Sequence, residues 1–268
     1  MAEKVRLDVL LVQKGLAASR EKAKELVAAG AVTCNGSIMK KAGILVDVNC
    51  IPALLFQPFR YVSRGGLKLE KMLEKHHIDL TGNVCIDIGA SSGGFTDCML
   101  QKGARKVFAV DVGFGQLAES LCNDPRVINL ERTNIRSVTN KEVPEPVDFG
   151  SVDVSFISLT LVLPVLFRLM RDNGKAVCLI KPQFEAGKGN VGKKGVVRNP
   201  ETHIEVLEHI CSFCKECGFR IMDLDFSPIK GPEGNIEYLI YLVKTSEPGE
   251  IEIHRIKELV ALSHQKLK

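Results

Sequence analysis

Apolar residues along the chain fall into two rhythms. From residue 83 onward, short Val/Ile-rich runs alternate with stretches of helical periodicity. The runs at 84–88, 106–111, 126–130, 147–154, 175–181, 219–226 and 236–243 predict strands, most of them apolar on both faces as buried parallel strands are. The stretches 94–102, 115–121, 159–171 and 200–217 predict the intervening helices. Asn199-Pro200-Glu201 is a helix start, with a capping side chain, a proline in the first turn and an acid near the dipole. The alternation predicts an α/β fold built on a doubly wound sheet. The tail 251–268 reads as an amphipathic helix, and 67–76 as a helix leading into the sheet.

The first 60 residues follow a different plan. A helix at 6–14 carries Leu7, Leu10 and Leu11 on one side and is closed by Gly15. Ser19 caps a second helix at 20–29, which stops at Gly30. Residues 32–37 read as a strand entering an Asn35-Gly36 turn, and 46–48 as another short strand. Pro52, Pro58, Gly65 and Gly66 mark 51–66 as a linker. The expected organisation is therefore a small α+β domain at 1–60, a linker and leading helix at 61–82, and a large domain at 83–268.

Charge sharpens this division. The net charge of +4 is mild, but residues 1–60 hold nine basic and five acidic residues while the remainder is balanced. The excess places any electrostatic footprint for nucleic acid in the first segment, where Lys14, Arg20, Lys22, Lys24, Lys40 and Lys41 are available to phosphates; by composition alone they read as a solvated helix face. No apolar run approaches the roughly 18 residues of a membrane span, and the N-terminus lacks the apolar core of a signal peptide. A cytoplasmic protein with nine reduced cysteines is expected. Cys211, Cys214 and Cys217 fall on one predicted helix without a second paired motif, so they read as core residues and no metal is expected.

The candidate chemistry begins at Asp87-Ile88-Gly89-Ala90-Ser91-Ser92-Gly93-Gly94-Phe95, where a strand ends in an acid and a glycine-rich turn. Such a turn lets a ligand approach the backbone. Ser91 stands where a dinucleotide fingerprint needs its second glycine, which disfavours a pyrophosphate ligand. This string resembles the first motif of class I S-adenosylmethionine-dependent methyltransferases, which have a Rossmann-like sheet, and most closely the FtsJ-like RNA 2′-O-methyltransferases. The resemblance implies that Asp87, Gly89, Ala90, Ser91, Gly93, Gly94 and Phe95 surround the cofactor. Asp111, 24 residues after Asp87 at the end of the second strand, would hold its ribose. Asn134 stands where the family usually has an acid that reads the adenine amine. Its amide oxygen can accept the same bond.

Lys68, Asp153, Lys181 and Glu237 stand in the order of the Lys-Asp-Lys-Glu tetrad of the same family. A ribose hydroxyl is a poor nucleophile, so such a set serves to align oxygen, methyl and sulfur and to accept or offset a proton. Lys181 is the candidate for that role, as base or as charged stabiliser of the alkoxide. The Asp/Asn-Pro-Pro-Tyr/Phe motif of base-amine methylation is absent, and no Pro-Cys pair serves cytosine-C5 chemistry. The long segment 182–199, with Lys193 and Lys194, is expected to close over RNA phosphates.

Residues 5–50 resemble the S-four RNA-binding domain, and the two resemblances together are those of the TlyA family, historically labelled haemolysins. The family implies ribose 2′-O-methylation of cytidine in ribosomal RNA, on ribosomal subunits or free RNA, with S-adenosylmethionine as cofactor. The alternatives are a non-catalytic RNA-binding or ribosome-assembly factor and a membrane-active haemolysin.

Overall fold

The computed structural model describes residues 4–28, 30–55, 60–192, 194–231, 233–245 and 253–267. It divides into two compact units, Met1–Arg60 and Tyr61–Lys268.

In the first unit, helices α1 (Leu7–Gln13) and α2 (Arg20–Ala28) pack over Leu7, Leu10, Leu11, Ala23, Leu26 and Val27. Ser19 Oγ caps α2 by accepting from the Lys22 amide at 3.2 Å. Strand β1 (Lys4–Arg6) is preceded by no sequence signal and pairs antiparallel with β4 (Leu45–Asp47). Strands β2 (Val32–Cys34) and β3 (Ser37–Ile38) form a hairpin through Asn35 and Gly36, at φ 48° and 81°. Both turn residues are left-handed, which is the reason for Asn-Gly there. The expected linker is in part structured, because β5 (Pro52–Leu54) pairs with β2. That pairing sets Cys34 opposite Pro52 and brings Cys50 within 6.0 Å, Cα to Cα, where the two form a disulfide. The expectation of nine reduced cysteines is corrected at this pair.

Arg20 has a partner within the unit. The Asp8 carboxylate is fully buried. It accepts from Arg6 at 3.0 and 3.1 Å and from Arg20 Nη2 at 3.0 Å. The Arg6 hydrogen bond, more than any other contact, holds this carboxyl well below the usual range. Arg20 thus holds Asp8 in an ion pair while its own side chain stays about half exposed, at 51%.

The second unit is a seven-stranded sheet. Its strands are β6 (Val84–Ile88), β7 (Lys106–Val110), β8 (Val127–Leu130), β9 (Val147–Val152), β10 (Met170–Ile180), β11 (Phe219–Phe226) and β12 (Tyr238–Lys244). Their order is β11-β12-β10-β9-β6-β7-β8, with β12 antiparallel to both neighbours and the other pairs parallel. Alternate residues enter two cores, as the pleat requires. Ile86, Phe108, Cys178 and Ile240 face one, and Cys85, Val107, Val177 and Leu239 the other. Helices α3 (Gly65–Lys75) and α4 (Gly94–Gln101) cover the second face; α6 (Leu163–Leu169), α8 (Pro200–Glu216) and α9 (Ile253–Lys266) cover the first. Helix α5 shrinks to Glu119–Cys122, against the expected 115–121. Strand β10 starts at Met170, where helix 159–171 was expected to continue, and bulges around Asn173 before its register with β9 resumes at Lys175. Cys211 and Cys214 lie in the core as free thiols, and Cys217 packs against it. No group of metal-ligating side chains occurs among the described residues.

The chain runs from β6 outward to β7 and β8, then returns to β9 on the other side of β6. This reversal leaves a crevice beyond the carboxyl ends of β6 and β9, where α/β sheets bind ligands.

Candidate active site

A cleft of about 1000 Å³ opens at that crevice. One end is the loop after β6. Gly89 has φ +85°, and a Cβ there would lie 2.5 Å from the Asp153 carbonyl oxygen. Its lack of a side chain thus brings the loop against the end of β9. Gly93, at φ +91°, is packed under Leu117 and Leu121. Ala90, Ser91, Gly94 and Phe95 line the cleft beside Gly89. Asp111, one residue beyond β7, accepts from the amides of Ser91 at 2.8 Å and Gly113 at 2.7 Å. Its carboxylate is thereby fixed at the loop, with lone pairs left for further donors.

Of the expected cofactor contacts, Asp87, Gly93, Asp111 and Asn134 are not among the residues that line the cleft. Asp87 is fully buried beneath the loop, not in the cleft lining. Its oxygens accept from the hydroxyls of Thr96 at 2.7 Å and Ser151 at 3.0 Å, and burial pushes its carboxyl up to about 6. It ties α4 and β9 to β6 and supports the loop from below. Asn134 also lies outside the lining. Its Oδ1 accepts from the Arg136 amide at 3.0 Å and Nε at 3.4 Å, capping a short 3-10 turn. The acceptor meant for adenine is already engaged.

Lys68, Asp153, Lys181 and Glu237 all line the cleft's other end. Lys68 comes from α3, Asp153 and Lys181 each follow a strand end, and Glu237 precedes β12. Lys68 Nζ donates to Glu237 Oε2 at 2.6 Å and lies 3.6 Å from Asp153 Oδ2. Lys181 Nζ lies 2.5 Å from Asp153 Oδ1 and donates to Ser155 Oγ at 3.1 Å. The Asp153 Oδ1 contact is an ion pair without hydrogen-bond alignment, so that oxygen keeps an unmatched lone pair. The carboxylates alternate with the ammoniums, which spreads the charge and holds each side chain from two sides.

Residues 61–244 match the FtsJ-like methyltransferase family, and residues 5–49 match the S4 domain. The 16S/23S rRNA (cytidine-2′-O)-methyltransferase TlyA of Mycobacterium tuberculosis is 43% identical, over 90% of this chain and 91% of its own. The chain belongs to the TlyA family of FtsJ-like methyltransferases. Hemolysin A of Brachyspira hyodysenteriae, 41% identical over 89% of this chain and 100% of its own, is another TlyA-like relative. A solved structure of a hemolysin candidate from Streptococcus thermophilus, 45% identical, superposes with a TM-score of 0.78 over 99% of this chain and 98% of that one. The FtsJ-like match and the S4 match each fall within one of the two units.

Several residues of this TlyA-family cleft carry no sequence signal. Ser155 is one, as the partner of Lys181. Phe156 is 91% exposed, adopts φ +65° and rests on Phe184 with ring centroids 5.0 Å apart. Glu185 accepts from Ser158 Oγ at 2.6 Å and the Leu159 amide at 2.8 Å, and burial raises its carboxyl. Asn235 ties down the long segment after Lys181, donating to the Gly195 carbonyl at 2.8 Å and accepting from the Val197 amide at 3.0 Å. That segment contains α7 (Pro182–Glu185), and Gly187, Val191 and Gly195 line the cleft. Lys194 is exposed, and Lys193 lies outside the described residues. In the S4 unit Lys14, Lys24, Lys40 and Lys41 are exposed. Lys22 and Lys24 also pair within α2, with Glu25 at 3.4 Å and Glu21 at 3.8 Å.

Proposed function

We propose that this chain methylates the ribose 2′-hydroxyl of a cytidine in ribosomal RNA, using S-adenosylmethionine. The carrying observation is the convergence of Lys68, Asp153, Lys181 and Glu237 at one end of a cleft whose other end is the Gly89 loop. The names of its relatives agree with it: TlyA of M. tuberculosis is a 16S/23S rRNA (cytidine-2′-O)-methyltransferase, and TlyA of Campylobacter jejuni a 23S rRNA (cytidine-2′-O)-methyltransferase.

The residues present fit the cofactor. The Gly89 loop offers backbone at close approach, Asp111 holds a fixed carboxylate against that loop for ribose hydroxyls, and the cleft is continuous from the loop to Lys181. The cofactor, when bound, supplies an electrophilic methyl on a cationic sulfur. Everything else falls to the protein. Lys181 is the group for the nucleophilic oxygen. Asp153 and Ser155 occupy at most two of its three donors. A third remains to hold the ribose oxygen in line and stabilise its developing negative charge while the hydroxyl proton passes to water. Lys68 and Glu237 fix Asp153, which in turn fixes Lys181. Phe156 presents an exposed ring at the mouth, a surface on which an unstacked base of single-stranded RNA can lie.

Residues 1–60 would dock the enzyme on folded RNA through Lys14, Lys40 and Lys41, with Lys22 and Lys24 contributing when their glutamate partners give way. Lys193 and Lys194 would meet RNA phosphates. Residues 61–82 would act with the catalytic body 83–268, since α3 carries Lys68. A cytoplasmic site of action follows from a ribosomal substrate. Among the described residues no helix is long and apolar enough to cross a membrane.

The test is transfer of labelled methyl from S-adenosylmethionine to ribosomal subunits lacking the modification, for wild type and Lys181→Ala. Label in ribose, absent with Lys181→Ala despite cofactor binding, supports the reading. Label in a base, or none on either subunit, defeats it, and the second outcome favours an assembly factor.

A further inference from the structure

Two segments leave adjacent strands and are tied together twice. Residues 153–159 leave β9, and residues 181–185 leave β10. The first tie lies in the cleft, where Lys181 meets Asp153 and Ser155. The second lies behind it, where the Glu185 carboxylate takes the Ser158 hydroxyl on one oxygen and the Leu159 amide on the other. Phe156 sits between the two ties.

Phe156 has no evident reason of its own to be where it is. Its φ of +65° is left-handed, a strained conformation for an aromatic residue. Its ring is 91% exposed, so burial does not compensate for the strain. Such a conformation persists only where the surroundings impose it, and it concentrates at ligand-binding turns. Contact with Phe184, itself on α7, touches the ring rather than the backbone. The Glu185 bonds do act on the chain within two or three residues of Phe156. They are made by a carboxylate that is largely shielded from water, where charge-assisted bonds are strong and directional.

We propose that Glu185 is a positioning residue, locking the 153–159 turn in the strained form that presents Phe156 to the nucleotide being methylated. The inference deepens the ribose-methylation reading and rests on it for the identity of the ligand.

The chain contains no tryptophan, so Phe156→Trp creates a single tryptophan at the turn that can be excited apart from the three tyrosines. In that background, Glu185→Ala is expected to lower the anisotropy of residue 156. Glu185→Gln, which keeps an acceptor and the volume, should restore part of it. With Phe156 retained, Glu185→Ala should leave S-adenosylmethionine affinity unchanged within about twofold while kcat on unmodified rRNA falls roughly 10- to 100-fold, the scale of a misplaced reactant. Glu185→Gln should lie between. Unchanged anisotropy together with unchanged kcat overturns the proposal. So does activity that falls in step with Tm and cofactor affinity, with Gln no better than Ala, which would make Glu185 a general structural residue. Wild-type protein that transfers no methyl to RNA removes the functional reading instead, and the anisotropy comparison then decides the brace alone.

Discussion

Replacing Lys68 by methionine separates what the tetrad does for stability from what it does for chemistry. Glu237 is 1% exposed and holds the Lys68 ammonium at 2.6 Å. At an effective dielectric near 20, charges that close attract by roughly 6 kcal/mol. Desolvating the two ions costs several kcal/mol each, so the intact pair contributes little net stability. Removing only the cation is different, because a buried carboxylate is left without its partner. That costs about 3–5 kcal/mol. For a unit of roughly 200 residues, each kcal/mol moves Tm by about 2–4 °C. Lys68→Met should therefore lower Tm by roughly 10 °C, read by circular dichroism or scanning calorimetry. Glu237→Gln added to Lys68→Met removes the stranded charge and should recover most of the loss. Methyl transfer should stay abolished in both proteins. A Tm within about 2 °C of wild type for Lys68→Met, or a double variant that melts no higher, would refute the reasoning.

The remaining predictions test other parts of the argument. Gly89→Ala should cost more than Gly82→Ala and should abolish cofactor binding. Both positions have positive φ, worth about 1 kcal/mol to an alanine, but only at Gly89 does the new Cβ meet backbone, at 2.5 Å, while nothing lies within 4 Å at Gly82; equal losses would contradict this. His203 is fully buried between Tyr238 Oη and the Val197 carbonyl, and burial pushes its pKa down to about 4. The unfolded chain binds its proton first, so this residue's contribution is present above pH ~6.5 and is lost as pH falls toward 4, by about 2 kcal/mol at pH ~5. Asp87, raised to about 6, has the opposite sign over nearly the same range, so the readout is the difference in urea stability between wild type and His203→Asn. A pH-independent difference would sink the assignment. In the S4 unit, Lys40→Ala and Lys41→Ala should each reduce the slope of log K against log salt for RNA by about 1. Arg20→Ala should leave that slope unchanged and instead lower the unit's melting temperature, because it strips a partner from buried Asp8. A slope change for Arg20→Ala would restore it as a phosphate contact.

Much of this protein is encoded locally, and that part was legible in the sequence. Each Val/Ile run of the large unit became a strand, because most are buried on both faces and need only their own apolar positions to declare them. Asn35-Gly36, Ser19 and Asn199 specify their turn and caps through bonds that span two or three residues. The order of Lys68, Asp153, Lys181 and Glu237 could be read against a known motif, but their contact could not be computed from it. Lys68 and Glu237 are 169 residues apart. They meet because β12 enters the sheet antiparallel between β10 and β11, which delivers Glu237 to the same edge as the ends of β9 and β10. Other pairings in the fold have the same cause. Asp87 and Asp111 look alike as strand-end acids, yet Thr96 and Ser151 close over the first while the second stays at the cleft-side loop. Asn134 and Arg20 were free in the sequence and are engaged in the fold by Arg136 and Asp8. Cys34 and Cys50 lie together where β5 pairs with β2. The left-handed Phe156 and the Glu185 carboxylate behind it left no periodic trace. Local sequence determined the elements and the chemical groups at their ends. Which of those groups are paired, buried or left facing a ligand was decided by strand order and side-chain competition across the whole unit, since hydrogen bonds and charges are matched in space, not along the chain.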